Sequence, residues 1–307
     1  MSQPTISVVV LYHEQPRDLT ALLPVLAENA RDAHEILIVD DGSRDHPLND
    51  ATVHAVLPHA RTIRVGQNAG AVAAMNLGLS EVHGDFVHFL AGDDSVSPAF
   101  YAAVRAALAR HPDAGLFCAG TLITEPDGTV IAPHALPWPG TEDGFLDGPA
   151  TVAALHRSGS WFAGNATVFS TAKLQNIGGF EPDLEEFGDA FACYVLAAQH
   201  GACVDPRPLA VKRDPVSGRG MSIYLDQLKS RRLCRRATDL MRSRHADLFP
   251  DAFVRRFARR WALNASTTGL YTSNARLAGK EPLPFAAKAR FALHYLCYRL
   301  GNRLDPD

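Results

Sequence analysis

Four short apolar runs, separated by intervals long enough for a helix, constrain the fold of this 307-residue chain more than any other feature. They lie at residues 6–11, 35–39, 61–65 and 85–90. The first, ISVVVL, is rich in β-branched residues and does not alternate polar with apolar positions, as is typical of a strand buried on both faces. Such strands, joined by helical crossovers, predict an α/β fold with a mostly parallel, Rossmann-like sheet between helices.

The segments between and after these runs predict helices and a hairpin. We expect helices at residues 18–29, bent or broken by Pro24, and at 70–82. A third helix is expected at residues 97–110, with Ser97 as its cap. Residues 115–131 contain two apolar stretches around the turn sequence PDG, which predicts a β-hairpin.

Two pairs of carboxylates follow predicted strands. Asp40 and Asp41 follow the second run, and Asp93 and Asp94 follow the fourth. Ligands bind at this edge of open α/β sheets, although Asp is also a common turn residue. Neighbouring carboxylates repel unless a proton or cation relieves them. A hard divalent cation held by one or two carboxylates usually completes its shell with substrate phosphates, so the pairs indicate a metal and a phosphate-bearing substrate.

Several familiar motifs are absent from the sequence. The loop YHEQP after the first run has no GxGxxG, and neither GxxxxGK[ST] nor GxSxG occurs. A dinucleotide site, a P-loop NTPase and an esterase elbow are therefore disfavoured. Five widely spaced cysteines without a CxxC pair indicate neither a disulfide framework nor a zinc site. Since no membrane span or signal-peptide pattern is found, we expect a cytoplasmic protein.

Ordered motifs over residues 5–215 resemble the inverting glycosyltransferases of family 2, which have the GT-A fold. EILIVDDGSRD is similar to the family's second-strand signature, and HFLAGDDS to its acidic metal-binding motif. The segment GNATVF to DLEEFGDAF resembles the part that ends in the catalytic-base helix. The resemblance implies transfer of a sugar from a nucleotide diphosphate to an acceptor hydroxyl, with inversion at the anomeric carbon.

The same resemblance implies the substrates. We expect a hexosyltransferase that uses a nucleotide-sugar donor, a UDP-sugar first among them, and a glycan or lipid-linked acceptor. At the level of the family, this indicates polysaccharide or cell-envelope glycan synthesis.

The resemblance assigns five residues to the nucleotide. His13 stands where the family usually has an aromatic against the base, and an imidazole can also stack or hydrogen-bond. Asp41 would accept a hydrogen bond from the base N–H, with Asp40 in the same pocket. Asn68 matches a family position near the nucleotide, although a helix cap explains it almost as well. Asp93 would contact the ribose.

Asp93 and Asp94 match the family's acidic motif. One of them would hold a Mg²⁺ or Mn²⁺ ion that bridges the diphosphate, where the cation helps the nucleotide to leave. The family often reads LDADD where this chain reads LAGDD, so Ala91 replaces the leading carboxylate. One anchoring Asp is expected to suffice for a metal held mainly by the diphosphate.

Asp189 matches the family's catalytic base, which takes the proton from the attacking acceptor hydroxyl. The alternative is that Asp189 only caps its helix. Gly188 replaces the usual neighbouring Glu, and together with Ala91 it favours a rival reading, a catalytically inactive GT-A-fold partner protein. A sugar-phosphate nucleotidyltransferase is a second rival, but it would need a Gly-rich basic loop after the first strand.

Charge divides the chain near residue 225. Residues 1–224 carry 13 Lys and Arg against 26 Asp and Glu, whereas residues 225–307 carry 17 against 7. We therefore predict a GT-A domain at 1–224 and a basic helical region at 225–307.

The basic helical region leaves three accounts of its role open. Its amphipathic helices either pack with a solvated basic face or dock on the anionic inner face of the cell membrane. A nucleic-acid partner is disfavoured, because the front of the chain is acidic and no RNA-binding pattern is present.

A basic stretch, KRDPVSGRGMS, follows the last predicted strand of the first region. It resembles the family's loop over the diphosphate, and Lys212, Arg213 and Arg219 are the candidates for that contact. Loop cations are more often simply solvated.

Overall fold

The computed structural model describes residues 3–31, 33–124, 128–134, 136–213, 223 and 226–277, with side chains described as far as residue 265. These residues divide into two compact units. The first holds the sheet, runs to Val152 and resumes at Ser160. The second contains Ala153–Gly159 and the C-terminal helices. The expected boundary between residues 224 and 225 falls on positions outside the described residues.

The four predicted strands form a parallel block in the order β3, β2, β1, β4. They are β1 Ile6–Tyr12, β2 Glu35–Asp40, β3 Arg61–Arg64 and β4 Phe86–Ala91. Val8, Val9 and Val10 of β1 are all fully buried. Since successive side chains of a strand point to opposite faces, the sheet is covered on both sides, as the ISVVVL run predicts.

The remaining strands continue the same sheet with mixed directions. They are β5 Asp94–Val96, β6 Leu116–Thr124, β7 Val130–Pro133, β8 Gly144–Leu146, β9 Thr167–Ser170 and β10 Ala202–Arg213. β9 lies between β4 and β6 and is antiparallel to both, whereas β10 is parallel to β6. β6 and β7 pair antiparallel as predicted, while the turn residues Pro126 and Asp127 lie outside the described residues.

Helices cover the sheet in the first unit. They are α1 Pro16–Asn29, α2 Asp50–Val56, α3 Ala71–Glu81, α4 Phe100–Arg110, α6 Thr171–Asn176 and α7 Gly188–His200. α5, Gly148–Ser158, begins in the first unit and ends in the second. Of the two effects predicted for Pro24, a bend or a break of the first helix, the break is wrong, because α1 is one helix of 14 residues. Pro24 lies on the exposed side of α1, where water can satisfy the carbonyl that its missing N–H leaves without a partner.

The predicted start of α4 is also wrong. The helix begins at Phe100, and Ala99 rather than Ser97 occupies the cap position. The Phe100 N–H donates to the Ser97 carbonyl at 3.0 Å, so a turn of the chain precedes the helix. The Ser97 hydroxyl makes no hydrogen bond to any described residue.

The second unit is built around two further helices, α8 Gln227–Ser243 and α9 Asp251–Leu277. The buried Trp261 indole N–H donates to the Ser230 hydroxyl at 2.8 Å and joins the two helices. The guanidinium of Arg260, also buried, donates to the carbonyls of Leu155 and Arg157 at 2.7 and 2.6 Å. These two bonds satisfy carbonyls in the last turn of α5, where a positive charge is favourable.

Candidate nucleotide and acceptor site

The carboxyl ends of β2, β1 and β4 lie side by side. Tyr12 at the end of β1 pairs with Asp40 of β2, and Leu11 pairs with Ala91 of β4. The loops that carry the predicted nucleotide and metal residues begin directly after these positions. The parallel register therefore brings them to one edge of the sheet, where open α/β folds bind ligands.

Asp41 ties two of these loops together. Its Oδ1 and Oδ2 accept hydrogen bonds from the backbone N–H groups of Ala69 and Gly70, at 2.8 and 2.9 Å. Only 4% of Asp41 is exposed. The observed role of this carboxylate is to fix the segment that enters α3, and its contact with a nucleotide base stays a prediction.

Asp40 supports the loop that follows β2. Its two carboxylate oxygens accept backbone hydrogen bonds from Ser43 and Leu48, both at 2.9 Å. Asp40 is 1% exposed, so it lies beneath the loop. The bonds observed for this carboxylate all go to its own chain segment, and the expected contact with the nucleotide is untested.

Glu14 closes the same loop from the β1 side. Its carboxylate accepts hydrogen bonds from three successive backbone N–H groups, those of Arg44, Asp45 and His46. These bonds lower the pKa of Glu14 because they stabilise the ionised form. In addition, the Glu14 N–H donates to the Ser43 hydroxyl at 3.0 Å, so the loops after β1 and β2 are locked to each other.

Gly42 allows a third loop to approach. Its φ is +69°, a left-handed conformation that glycine adopts without steric cost. A Cβ atom at this position would overlap the backbone of Gln67 and Asn68. The glycine of the DDGS motif is therefore needed both for its own conformation and for the position of the loop before α3.

His13 and Asn68 meet directly. The Asn68 side-chain N–H donates to His13 Nε2 at 2.8 Å, which places the ring proton on Nδ1. The Asn68 carbonyl oxygen accepts from the Gly70 N–H at 3.0 Å. Three predicted nucleotide residues, His13, Asp41 and Asn68, are thus joined through one short loop.

Asp93 and Asp94 lie between β4 and the short strand β5. Asp94 is partly buried and pairs with Lys212 of β10 in the antiparallel register. Burial, followed by repulsion from Asp93, raises the pKa of Asp94 to about 7, while Lys212 and Arg213 act in the opposite direction. Arg213 also pairs with Asp18 at 3.6 Å, and Arg219 lies outside the described residues.

Asp189 lies in the first turn of α7 and is not its cap residue. Its Oδ1 accepts a hydrogen bond from the Ala190 N–H at 2.6 Å, and its Oδ2 lies so near Gly164 that a Cβ atom on this glycine would overlap it. Burial raises the pKa of Asp189, while the Ala190 N–H and the charge of Lys212 lower it. The charge of Lys212 therefore favours the ionised form of both Asp94 and Asp189, while burial opposes it.

Left-handed backbone marks both halves of this site. In the described part of the chain, the non-glycine residues with positive φ are Glu14, at +54°, and Glu185, at +46°. Glu14 follows His13, and Glu185 lies in the 3₁₀ helix Pro182–Phe187 that leads directly into α7. Such residues cluster at functional sites, where surrounding contacts hold the strain.

The donor set fits a divalent cation only in part. Among the described residues, no three His, Cys, Asp or Glu side chains converge on a point that would hold a metal. Asp93 and Asp94 offer oxygen ligands, which suit Mg²⁺ or Mn²⁺, and a cation would relieve the repulsion between the two carboxylates. The arrangement fits an ion that takes its other ligands from a diphosphate.

Three residues that shape the site are not identified by the sequence analysis. The role of Glu14 depends on its left-handed φ, which carries no local signal in YHEQP. Gly164 is visible only as part of GNATVF, and Asn165 next to it donates to the Val211 carbonyl at 3.2 Å. A glycine before an apolar strand is too common to indicate contact with a carboxylate 25 residues later.

The family model for glycosyl transferase family 2 matches residues 7–167, just over half of the chain. This chain belongs to glycosyltransferase family 2. The matched region contains β1, the DDGS loop and the acidic motif, so the predicted recognition is confirmed. Asp189 lies beyond it.

A curated relative matches a smaller part. An uncharacterized glycosyltransferase of Escherichia coli K12, YibD, is 33% identical over 97 residues. The match covers 31% of this family 2 chain and 28% of the relative. The chain thus spans well under two thirds of that relative's length.

Two solved structures have a fold similar to that of this family 2 chain. Residues 1–349 of S. aureus TarS are 16% identical, with 97% of this chain and 92% of that chain covered and a TM-score of 0.61. The mannosyltransferase PcManGT from Pyrobaculum calidifontis, solved with GDP-Man and Mn²⁺, is 17% identical, with 100% and 89% covered and a TM-score of 0.62. The predicted GT-A fold is confirmed.

Replacement of Gly164 should disturb the site without touching the nucleotide loops. In Gly164→Ala the added methyl group overlaps Asp189 Oδ2 and displaces the carboxylate. If this carboxylate is the base, a shift of about 1 Å should lower turnover by about 10²-fold, while nucleotide binding persists. Steady-state kinetics with calorimetry measures both quantities.

Gly140→Ala is the matched control, because no atom lies within 4 Å of its added Cβ. Normal turnover by Gly164→Ala would contradict the assignment of Asp189.

Proposed function

We propose that this protein is an inverting hexosyltransferase that moves a sugar from a nucleoside diphosphate donor to an acceptor hydroxyl. The observation that carries the proposal is the meeting of the loops after β1, β2 and β4 at one edge of the sheet, where hydrogen bonds join His13, Asp41 and Asn68. A cation held by Asp94 would stabilise the leaving diphosphate, and a base at Asp189 would activate the acceptor hydroxyl, which together suit a single inverting displacement. Family 2 membership and the GT-A fold support the same reaction.

The nucleotide would bind over the loops fixed by Asp41 and Glu14. His13 offers a flat ring for the base, and its Nδ1 has no hydrogen-bond partner among the described residues. Asp93 would accept from the ribose hydroxyls. TarS has been solved with UDP and with UDP-GlcNAc, and PcManGT with GDP-Man. By analogy we propose a nucleotide-sugar donor here, with a UDP-sugar as the first candidate.

Asp94, with Asp93, would hold Mg²⁺ or Mn²⁺ together with the donor diphosphate. The ion would supply positive charge that stabilises the departing nucleotide. Asp189 would take the proton from the acceptor hydroxyl, for which its carboxylate must be ionised. Because burial raises the pKa of Asp189, its proton is lost at a higher pH than that of a free Asp, and the rate should rise with pH through that pKa.

Nucleotide titration tests the donor half of the proposal. We expect one of UDP, GDP and dTDP to bind by calorimetry, and to bind at least about tenfold more tightly with Mn²⁺, since the ion is shared between the two carboxylates and the diphosphate. The Asp93→Asn/Asp94→Asn variant should lose the Mn²⁺ effect. Failure of all three nucleotides to bind in either condition would contradict a transferase and favour an inactive partner protein.

Replacement of the base tests the acceptor half. Asp189→Asn keeps the shape of the side chain but cannot accept the proton, so transfer should fall by about 10²-fold or more. Nucleotide affinity should remain as in the wild type. Asp183→Asn, an exposed carboxylate of the same segment, is the matched control. An Asp189→Asn variant with near-normal turnover would place the base elsewhere.

We further propose that the basic helices of the second unit contact an anionic membrane surface, where a lipid-linked acceptor would be found. Arg231 and Arg235 of α8 are exposed, and Leu228, one turn earlier, is 80% exposed. An exposed apolar side chain beside arginines suits the headgroup region. None of the helices in the described ranges is long and apolar enough to cross a membrane.

Vesicle flotation tests the membrane contact. Because a basic residue near an anionic surface contributes roughly 1 kcal/mol, full-length Arg231→Glu/Arg235→Glu should bind phosphatidylserine vesicles more than tenfold less tightly than wild type. The exposed Arg31 in the first unit supplies the control, Arg31→Glu, which should float normally. Equal flotation of the α8 variant and wild type would leave only a packing role for these helices.

A further inference from the structure

Asn76 of α3 makes two hydrogen bonds to the backbone of a residue that is distant in the sequence. Its side-chain N–H donates to the Phe180 carbonyl at 2.8 Å, and its side-chain oxygen accepts a hydrogen bond from the Phe180 N–H at 2.8 Å. Phe180 lies outside regular helix and strand. A primary amide can satisfy both backbone groups of such a residue, because it offers a donor and an acceptor together.

The position of this asparagine in its own helix is unfavourable. Asn76 lies in the middle of α3, where an asparagine side chain competes with the helix for backbone hydrogen bonds. Gly179 leaves space for the contact, since a Cβ atom there would lie 2.5 Å from Asn76 Oδ1. The pair between Asn76 and Phe180 therefore depends on two residues that helix propensity and packing alone would not select.

α3 begins at the loop that carries predicted nucleotide residues. Asp41 accepts hydrogen bonds from the N–H groups of Ala69 and Gly70, directly before the helix. Further along, α3 packs closely on β1, because a Cβ atom on Gly78 would lie 2.6 Å from Val9 Cγ1. The nucleotide loop and Asn76 are thus joined by one continuous helix that lies against the sheet.

Phe180 begins the segment that ends at the predicted base. Its fully buried ring packs edge-to-face on Phe89 of β4, the strand that leads to the acidic motif, with ring centroids 5.2 Å apart. The chain then passes through the 3₁₀ helix Pro182–Phe187 to Gly188, the residue before the base. Gly188 contacts α3 again, since a Cβ atom there would lie 3.2 Å from Val72 Cγ2. The segment is therefore held against α3 at both of its ends.

We propose that Asn76 is a positioning residue for sugar transfer. Its two bonds to Phe180 hold the segment that carries Asp189 at a fixed place relative to the nucleotide loop at the start of α3. This inference rests on the proposed function, in which Asp189 is the base. Its effect is on the geometry between donor and base, and not on the affinity for the nucleotide.

The test is Asn76→Ala in the full-length protein, which removes both bonds and leaves those of Asp41 in place. Since a misplacement of about 1 Å can lower turnover by about 10²-fold, we expect kcat to fall by about tenfold or more. The UDP dissociation constant in the presence of Mn²⁺ should stay within about threefold of wild type, a change below about 1 kcal/mol. Steady-state kinetics and calorimetry measure the two quantities, and the calorimetric stoichiometry gives the folded fraction.

Gln175→Ala is the matched control. The Gln175 side-chain N–H donates to the carbonyl of Leu79 in the same helix at 3.1 Å, but Gln175 belongs to α6 and precedes the segment that leads to Asp189. Thermal unfolding should show a lower melting temperature for both variants, whereas kcat per folded molecule should fall only in Asn76→Ala. Normal kcat in Asn76→Ala, or an equal loss in both variants, would overturn the proposal.

A second pair of variants tests the other end of the contact and serves if Asn76→Ala fails to fold. The methyl group of Gly188→Ala would lie 3.2 Å from Val72 Cγ2, so α3 and the start of α7 must separate by a few tenths of an ångström, and kcat should fall. Val72→Ala in the same chain removes the atom that the new methyl group meets and should restore part of the loss. A double variant no more active than Gly188→Ala would show that α3 does not set the position of the base.

Other results separate this proposal from the proposed function. If wild type neither binds nucleotide nor transfers sugar, the proposed function fails before any variant is made. Near-normal turnover by Asp189→Asn would remove the base that Asn76 is proposed to position. A larger loss of UDP affinity than of kcat in Asn76→Ala would assign Asn76 to the nucleotide site and overturn the positioning role.

Discussion

Hydrogen bonds from backbone N–H groups to carboxylates stabilise the loops at the carboxyl ends of the parallel strands. Asp40 and Asp41 at the end of β2 and Glu14 after β1 accept hydrogen bonds from seven N–H groups in two loops, the loop after β2 and the loop before α3. Buried N–H groups must be paired, and irregular loops lack the ladder that strands provide. The two carboxylates of the DDGS motif accept hydrogen bonds from four of these N–H groups and so determine the conformation of the loops.

At Asp94 and Asp189 the main physical effect is burial, and not hydrogen bonding to backbone N–H groups. Asp94 and Asp189 are both protonated more readily than free aspartates because burial penalises their charge. Repulsion from Asp93 adds to this effect only at Asp94. Among the described residues, the charge of Lys212 on β10 opposes the shift at both positions, but it does not outweigh burial.

The sequence predicts the parallel block and the location of the acidic pairs, because both depend on local patterns. Continuous apolar runs specify buried strands, and Asp40, Asp41, Asp93 and Asp94 follow them directly. The features that the sequence does not predict depend on the folded surroundings of a residue, including residues far away in the sequence. Pro24 is tolerated in α1 because it lies on the side that faces solvent. A side chain at position 164 is disfavoured by Asp189, which is too distant in the sequence for a local pattern to reveal. The resemblance to a family extends the prediction to the roles of single residues. The hydrogen-bond partners of each carboxylate, however, can be identified only from the folded structure.

Glu14 illustrates a conflict between local and global preference. A glycine would adopt its left-handed backbone at no steric cost, yet a glycine has no carboxylate to bind the N–H groups of Arg44, Asp45 and His46. The intrinsic conformational preference of this residue therefore opposes the native loop, and only bonds to a distant segment maintain it. An isolated peptide with the sequence YHEQP should not retain this turn. The conformation of this loop is consequently a cooperative property of the folded sheet.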